Sequence, residues 1–540
     1  MAGTGFHARQ AAPTAITTPK ESEMGVSRRS VLQWGATSAL GLAVPAALSG
    51  CSSPVTGKDL RSDIPLPQPF TRALPVPPVL APTRTDGTTD YYELTAKEGT
   101  AEMVPGHRTR IWGYNGIFPG PTIEARSGRR VVVEHRNELP VPTTVHLHGG
   151  HTPPDSDGYP TDVLVRAGAE LPHPKGHAPM PHDAFSVARG SRTYTYPLKQ
   201  RAMTLWYHDH RMDFTGPQVY RGLAGFHLVR DDEDDRLPLP RGDREIPLMI
   251  TDRAFDEDGQ LKYPSLDSTL LRESGVENSY MKGVLGDVIM VNGVPWPLLE
   301  VSATRYRFRL LNASNARRYE LELDPAPPGA PAFTQIGSDG GLLDRPRQHQ
   351  RIPIAQAERF DLIIDFSRYK VGDEVTLVNK IGEKGTAQVM RFRVVRRATD
   401  DSRIPATLSD LGIYDELHGN EDSVARDFKF NGGDPWQIND KVFDVNRIDA
   451  NPKLGSTEVW KLRTNQHHPV HLHMLQFKLL SRKGKPPRAT DAGWKDTLDL
   501  FPGEDTLIVA RWNGYPGRYV FHCHNLEHED MAMMANIQVE

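Results

Sequence analysis

Eight histidines of this chain stand in four His-x-His pairs: His146-Leu147-His148, His208-Asp209-His210, His471-Leu472-His473 and His522-Cys523-His524. The pairs lie in apolar, strand-like segments. Thr144-Val145 precedes the first, Leu205-Trp206-Tyr207 the second, and Gly517-Arg518-Tyr519-Val520-Phe521 the last. Successive side chains of a strand point to opposite faces, so both imidazoles of a pair share one face. A fold that presents eight inward-facing imidazoles from both ends of one chain must be rich in strands. It must also bring distant segments together. In the last pair the middle residue, Cys523, points away from its two neighbours, and His528 and Met533 follow it. Two nitrogens, one thiolate and a weak axial thioether are the donor set of an electron-transfer copper. Cys523, His528 and Met533 provide all of it but one nitrogen. His468, three residues ahead of the third pair with Pro469 between, is the candidate for that nitrogen. One thiolate with metals on one side and two histidine ligands on the other makes a short covalent route for electrons. A lone His-x-His is as easily a coincidence of core or surface, and imidazole suits zinc as well. Four pairs, one of them built around a cysteine, favour copper.

The 540 residues exceed one ordinary domain and suggest about three. A net charge of −4 with a pI near 6.6 points to no polyanionic partner and argues against nucleic acid as a main ligand. The chain has two cysteines. Cys523 is the metal thiolate. Cys51 ends Leu48-Ser49-Gly50-Cys51, which is similar to a bacterial lipobox. Upstream stand the twin arginines Arg28-Arg29 and an apolar run from Trp34 to Leu48, which falls short of the roughly 20 residues that span a bilayer. Together these read as a twin-arginine export signal over 1–51, with lipid anchoring at Cys51 on the extracytoplasmic face of the cell envelope. Translation from Met24 would still retain the twin arginines. No disulfide is expected, so packing and bound metal must hold the chain, which is long enough to bury a sizeable core.

Residues 52–84 are rich in proline and short polar residues and read as a tether. Residues 85–232 carry short alternating strands such as Arg130-Val131-Val132-Val133-Glu134 between Pro and Gly turns, the pattern of a β-sandwich. Asp231-Asp232-Glu233-Asp234-Asp235 reads as a solvated linker. Residues 240–398 repeat the strand pattern with a single histidine, His349, and no cysteine, so this domain can hold no copper site of its own. Residues 399–430 are polar and loop-like, and a last domain over 430–540 carries the two C-terminal metal motifs. His173, His177, Met180 and His182 lie in Leu171-Pro172-His173-Pro174-Lys175-Gly176-His177-Ala178-Pro179-Met180-Pro181-His182-Asp183, a proline-rich insertion that reads as a solvated loop in preference to a labile copper site. His151 is not expected to be a ligand.

The four metal motifs, HLHGG (146–150), WYHDH (206–210), HPVHLHMLQF (468–477) and HCHNLEHEDMAMM (522–534), resemble those of the three-domain bacterial multicopper oxidases, the group of spore-coat laccase, phenoxazinone synthase and bilirubin oxidase. YNGIFPGPTIEA (114–125), TPPDSDGYP (152–160), PLMITDRAFDEDG (247–259) and VNGVPWPLLEV (291–301) extend the similarity to roughly residues 70–540. The resemblance implies an all-β chain of three cupredoxin-like Greek-key sandwiches. It also implies four copper ions: one type 1, one type 2 and two type 3. By motif position His468, Cys523 and His528 match the type 1 ligands. Met533 matches the axial one, chosen over Met531 and Met534 by its spacing from His528. His146 and His471 match the type 2 ligands, and His148, His208, His210, His473, His522 and His524 the type 3 ligands. A cluster built from the first and last domains would lie at their interface. Glu529 matches a proton donor beside the dioxygen site, and Asp157 an acidic residue at the solvent channel, although Asp-Ser-Asp-Gly is also ordinary turn chemistry. The implied activity couples one-electron oxidation of a small aromatic donor, a phenol or aminophenol, to reduction of dioxygen to water, with electrons received at the edge of His528. A monomer is expected. Bilirubin oxidation and oxidation of cuprous or manganous ions remain as alternatives, with a non-catalytic copper-binding envelope protein behind them.

Overall fold

The computed structural model describes residues 56–177 and 180–540. The segment read as an export signal, with Cys51, lies outside the described residues. Three β-sandwiches follow one another along the chain. In the first, a five-stranded sheet (Arg84–Thr85, Thr89–Ala101, Thr109–Tyr114, Arg130–Asn137, Ser191–Tyr196) faces a four-stranded one (Gly120–Arg126, Val145–His148, Met203–Asp209, Ala224–Arg230). The second packs a seven-stranded sheet, with Glu245–Arg253, Arg305–Asn312 and Arg359–Asp365 at its centre, against a five-stranded one. The third sets five strands, Val424–Asn431 and Thr457–Thr464 among them, against the four-stranded order Thr497–Leu500, His468–Leu472, Gly517–Cys523, Met534–Val539.

The alternation seen in sequence drives each sandwich. Along Arg130–Asn137, Val131, Val133, His135 and Asn137 point into the core, while Arg130 and Arg136 face solvent. Leu94, Val133, Leu147 and Leu205 build the first core, Phe308, Leu362 and Phe392 the second, and Trp460, Phe477, Ile508 and Phe521 the third. Each sandwich also holds parallel neighbours: Gly120–Arg126 beside Ala224–Arg230, Glu245–Arg253 beside Arg305–Asn312, and Val424–Asn431 beside Thr457–Thr464. A hairpin cannot join parallel strands, so the chain crosses between sheets to make them.

Three readings of the sequence change. The segment read as a tether is bound to the body from its first described residues. Lys58–Leu60 pairs in parallel with Val284–Gly286, Leu74 is buried and bonded to Leu298, and Val79 bridges Thr122. Leu60 and Leu74 are buried against the body, while Val76 and Val79 stay exposed. The acidic run is solvated only in part: Asp232 and Asp235 are exposed, but Asp231 and Asp234 are engaged by the fold. Asp231 caps the short helix Asp232–Arg236 by accepting from the Asp234 backbone N–H at 2.7 Å. Asp234 is fully buried and accepts from Arg307 Nη1 at 2.8 Å, and Glu245 accepts from Arg309 Nε at 2.6 Å beside it. Arg307 and Arg309 alternate on one strand face, which is why an acidic run docks there. Finally, the third sandwich begins at strand Val424–Asn431, ahead of the expected boundary at 430.

Candidate metal centre

Two strand pairs present the histidines. In the first sandwich Val145–His148 and Met203–Asp209 run antiparallel, with His146 opposite His208 and Trp206 opposite His148. In the third, His471 lies opposite His522, and Val470 opposite Cys523. Period-two geometry then sends Cys523 into the third core while His522 turns to the other face.

On the Cys523 side, His468 Nδ1 stands 3.2 Å from the sulfur, His528 Nδ1 3.6 Å from it, and the two Nδ1 atoms 3.1 Å from each other. All three residues are fully buried. Burial pushes the Cys523 thiol well above its ordinary pKa. Burial likewise lowers His468 to about 3, so its imidazole is neutral at neutral pH. A neutral imidazole and a thiol that ionises only against a cation form a metal site in waiting. The Cys523 backbone N–H donates to the Met533 carbonyl at 3.1 Å, whereas the strand register sets Met534 opposite His522. Met533 shares the buried cluster of Cys523, as does Met531, while Met534 packs with Tyr159, Met212 and Val520. Met533 is therefore the methionine whose backbone is paired directly with Cys523. Met533→Leu is expected to raise the reduction potential of the blue centre, because losing a weak axial donor disfavours the cupric state. Redox titration checks this. A shift on Met534→Leu with none on Met533→Leu would show the spacing argument wrong by one residue.

On the opposite side three all-histidine groups form, each with its donor atoms within 4.8 Å of one another: His148, His208 and His524; His210, His473 and His522; and His146, His471 and His473; a fourth group joins His148 and His471 to Asp496. The first and third sandwiches both contribute to every group. His146 Nε2 and His471 Nε2 lie 3.4 Å apart, and His473 Nε2 and His522 Nε2 3.2 Å apart. Burial lowers the pKa of His208 to about 3 and of His210 to about 4, and drives those of His146, His148, His471, His473 and His524 well down, so these rings are neutral ligands. Buried ring nitrogens without a hydrogen-bond partner include His148 Nδ1, His208 Nε2 and both nitrogens of His524. Leaving such a group bare costs about 1–3 kcal/mol. A cation among them removes that cost, so the donor set fits metal. The outer nitrogens are occupied: His146 Nδ1 donates to the Asp157 carbonyl at 2.6 Å, His208 Nδ1 to the Asp209 carbonyl at 2.8 Å, and His473 Nδ1 to Asp157 Oδ2 at 2.7 Å. Hydrogen bonds of this kind orient metal-binding imidazoles.

Asp157 thus touches two rings of the cluster, and Glu529 touches two more. Glu529 Oε2 lies 3.1 Å from His522 Nδ1, its Oε1 3.4 Å from His210 Nδ1, and the Thr215 hydroxyl donates to it at 2.5 Å. Burial raises the pKa of Asp157. Burial pushes Glu529 the same way, but the histidines around it outweigh that, and it stays below the usual carboxylate range. His151 is bonded to the Asn513 carbonyl at 2.7 Å and takes no part, and His349 bonds Gln335. Among the described residues, His173 and His177 join none of these groups.

His528, the expected entry point for electrons, presents no edge to solvent. It is fully buried, its Nε2 donates to the Lys282 carbonyl at 3.2 Å, and Trp436 stacks on its face with ring centroids 3.6 Å apart. The sequence marks neither cover. Trp436 follows a Gly-Gly-Asp-Pro turn and Lys282 sits in a polar loop, and nothing local ties either to His528. Asp496 and Arg359, which lie just behind the cluster, were equally unmarked.

Two family models, each described as multicopper oxidase, match the two histidine-bearing regions, one over residues 95–171 and 175–234 and the other over residues 419–540. A laccase of Bacillus subtilis (strain 168) is 36% identical, the match covering 87% of this chain and 98% of that protein. The bilirubin oxidase of Albifimbria verrucaria is 35% identical over 90% of this chain and 84% of that protein. The crystal structure of a laccase from Pediococcus acidilactici superposes with a TM-score of 0.76 at 31% identity, covering 89% of this chain and 96% of that one. With relatives more than 30% identical over nearly their whole length, the chain belongs to the multicopper oxidase family.

Proposed function

We propose that this multicopper oxidase acts on phenols, aminophenols or related small aromatic donors, as a laccase does, with the ligand roles set out by motif. The type 1 ligands are then His468, Cys523, His528 and Met533, and the type 2 ligands His146 and His471. One type 3 ion falls to His148, His208 and His524, the other to His210, His473 and His522. Four copper ions bound there supply one-electron oxidation of the donor and four-electron reduction of dioxygen to water. The observation that carries the reading is the back-to-back arrangement at one strand end. Cys523 faces two imidazole Nδ1 atoms at 3.2 and 3.6 Å while its neighbours His522 and His524 enter the histidine groups.

The protein's own groups do the rest. With His528 covered, an aromatic donor meets the layer over it, where Gly433, Asp434 and Pro435 are exposed next to Trp436. This suits outer-sphere transfer to many donors more than tight recognition of one. Glu529, which accepts from the Thr215 hydroxyl and lies 3.1 Å from His522 Nδ1, is placed to take up a proton and pass it to the cluster. Asp157 orients His146 and His473 through its carbonyl and carboxylate. Oxygen consumption with phenols, aminophenols, bilirubin, Cu(I) and Mn(II) in parallel tests the substrate class. Turnover confined to the metal ions would replace this reading with a metal-ion oxidase.

We further propose export by the twin-arginine route, lipid anchoring at Cys51 and a monomeric body. The Arg28-Arg29 pair, the apolar run and the lipobox-like Leu48-Ser49-Gly50-Cys51, in that order, support it. Cys51→Ala is expected to move the protein from the detergent phase to the aqueous phase with its copper sites intact. Equal aqueous partitioning of both forms refutes the anchor.

A further inference from the structure

A buried charge network links the copper-free middle sandwich to the histidine cluster. Arg359, at the start of strand Arg359–Asp365, is fully buried. Its Nε donates to the Thr204 carbonyl of the first sandwich at 3.0 Å. Its Nη1 donates to Asp496 Oδ1 of the third at 2.7 Å, and its Nη2 to the second Asp496 oxygen. One guanidinium therefore joins all three sandwiches. Asp339 of the middle sandwich accepts from the Arg359 backbone N–H at 2.8 Å, and with Glu358 it holds Lys495 at 3.0 and 2.9 Å. Gly149, just after His148, has φ of 82°, and a Cβ there would stand 2.7 Å from Asp496 Oδ2, so only glycine lets the network close this tightly.

Asp496 reaches the cluster directly. Its Oδ1 lies 3.1 Å from His148 Nε2, with Thr497 Oγ1 at 3.0 Å from the same nitrogen, and its backbone carbonyl accepts from His471 Nδ1 at 2.9 Å. His148 is unlike its neighbours in this respect. His146, His208, His471, His473 and His522 turn Nδ1 to oxygen acceptors, whereas His148 turns Nε2 to one and, like His210 and His524, leaves a buried Nδ1 without a hydrogen-bond partner. A neutral imidazole carries one N–H, and the acceptor it meets decides which nitrogen keeps the lone pair.

We propose that Asp496, locked by Arg359, is the positioning residue that commits His148 to present Nδ1 to copper, and that the middle sandwich controls cluster occupancy through this pair. The fork of Arg359 holds both carboxylate oxygens, so the carboxylate cannot rotate away from His148. It also offsets the cost of burying that charge, which would otherwise be large. The proposal rests on the reading of His148 as a ligand.

Asp496→Ala and Asp496→Asn, loaded with copper and dialysed against a chelator, test it, with the blue absorption of the Cys523 site as the control for folding. Asp496→Ala is expected to keep the blue band, lose the near-ultraviolet absorption of the type 3 pair, and hold cluster copper about 10–100-fold more weakly, the usual cost of losing a partner behind a metal ligand. Asp496→Asn keeps an acceptor for the Nε2–H and is expected to recover the near-ultraviolet band. A full cluster in Asp496→Ala overturns the proposal. So does loss of blue and cluster copper together, or an Asn variant no better than Ala. If Asp496→Ala does not fold, Arg359→Lys keeps the charge without the fork and is expected to weaken cluster copper alone; wild-type retention overturns the proposal. His148→Ala separates the two readings, because a full cluster in that variant removes the ligand assignment itself, whatever the Asp496 variants do.

Discussion

Cys523→Ser is expected to abolish the blue colour and the oxidase activity together while leaving a type 2 signal in electron paramagnetic resonance. The colour arises from thiolate-to-copper charge transfer, and an alcohol at the same position cannot supply it. The site offers no substitute. Cys523 is fully buried, the only other cysteine in the chain is Cys51, and the two imidazoles facing the sulfur cannot replace it. The donor groups of the cluster lie on the other face of the strand, so their copper should stay in place. Electrons from the donor would then have no covalent route to His522 and His524, and steady-state oxygen consumption should fall to background. Absorption and paramagnetic spectra of the copper-loaded variant decide it. A protein that stays blue would remove Cys523 from the site.

Glu529→Gln should separate the two halves of the reaction. Making water from dioxygen consumes protons inside a buried cluster, and a positioned carboxylate that takes up a proton and passes it on is able to deliver them. Glu529 is buried, 3.1 Å from His522 through Oε2, and receives the Thr215 hydroxyl at 2.5 Å on Oε1. Glutamine keeps the shape and one acceptor but releases no proton. Anaerobic reduction of the blue centre by a phenol should therefore stay near wild type. Reoxidation by dioxygen should slow by about 10²–10⁴, the usual cost of losing an acid–base group. Stopped-flow measurement of each half shows which is affected. Unchanged reoxidation, or a loss confined to the reductive half, would place the proton route elsewhere, with Asp157 the next residue to test.

What the sequence determined by itself was the local part of this design. Two imidazoles one residue apart on a strand must share a face, and a cysteine between them must take the other, because the backbone period acts over three residues. The inward valines of Arg130–Asn137 follow from the same rule, and so does the sandwich architecture. The candidate ligands were therefore legible before any fold was known. Tertiary packing alone decided which histidines share a group. His148 joins His208 and His524, and His210 joins His473 and His522, only because the first and third sandwiches meet face to face. It also decided that Trp436 and Lys282 cover His528, and that Asp234 sinks into an arginine cluster when its run of acids reads as solvated. The Arg359–Asp496 pair is the clearest case, since its partners stand 137 residues apart on different sandwiches. No periodicity reports such a contact. Its partners are chosen by the need to satisfy charges that the docking of three sandwiches has taken out of water.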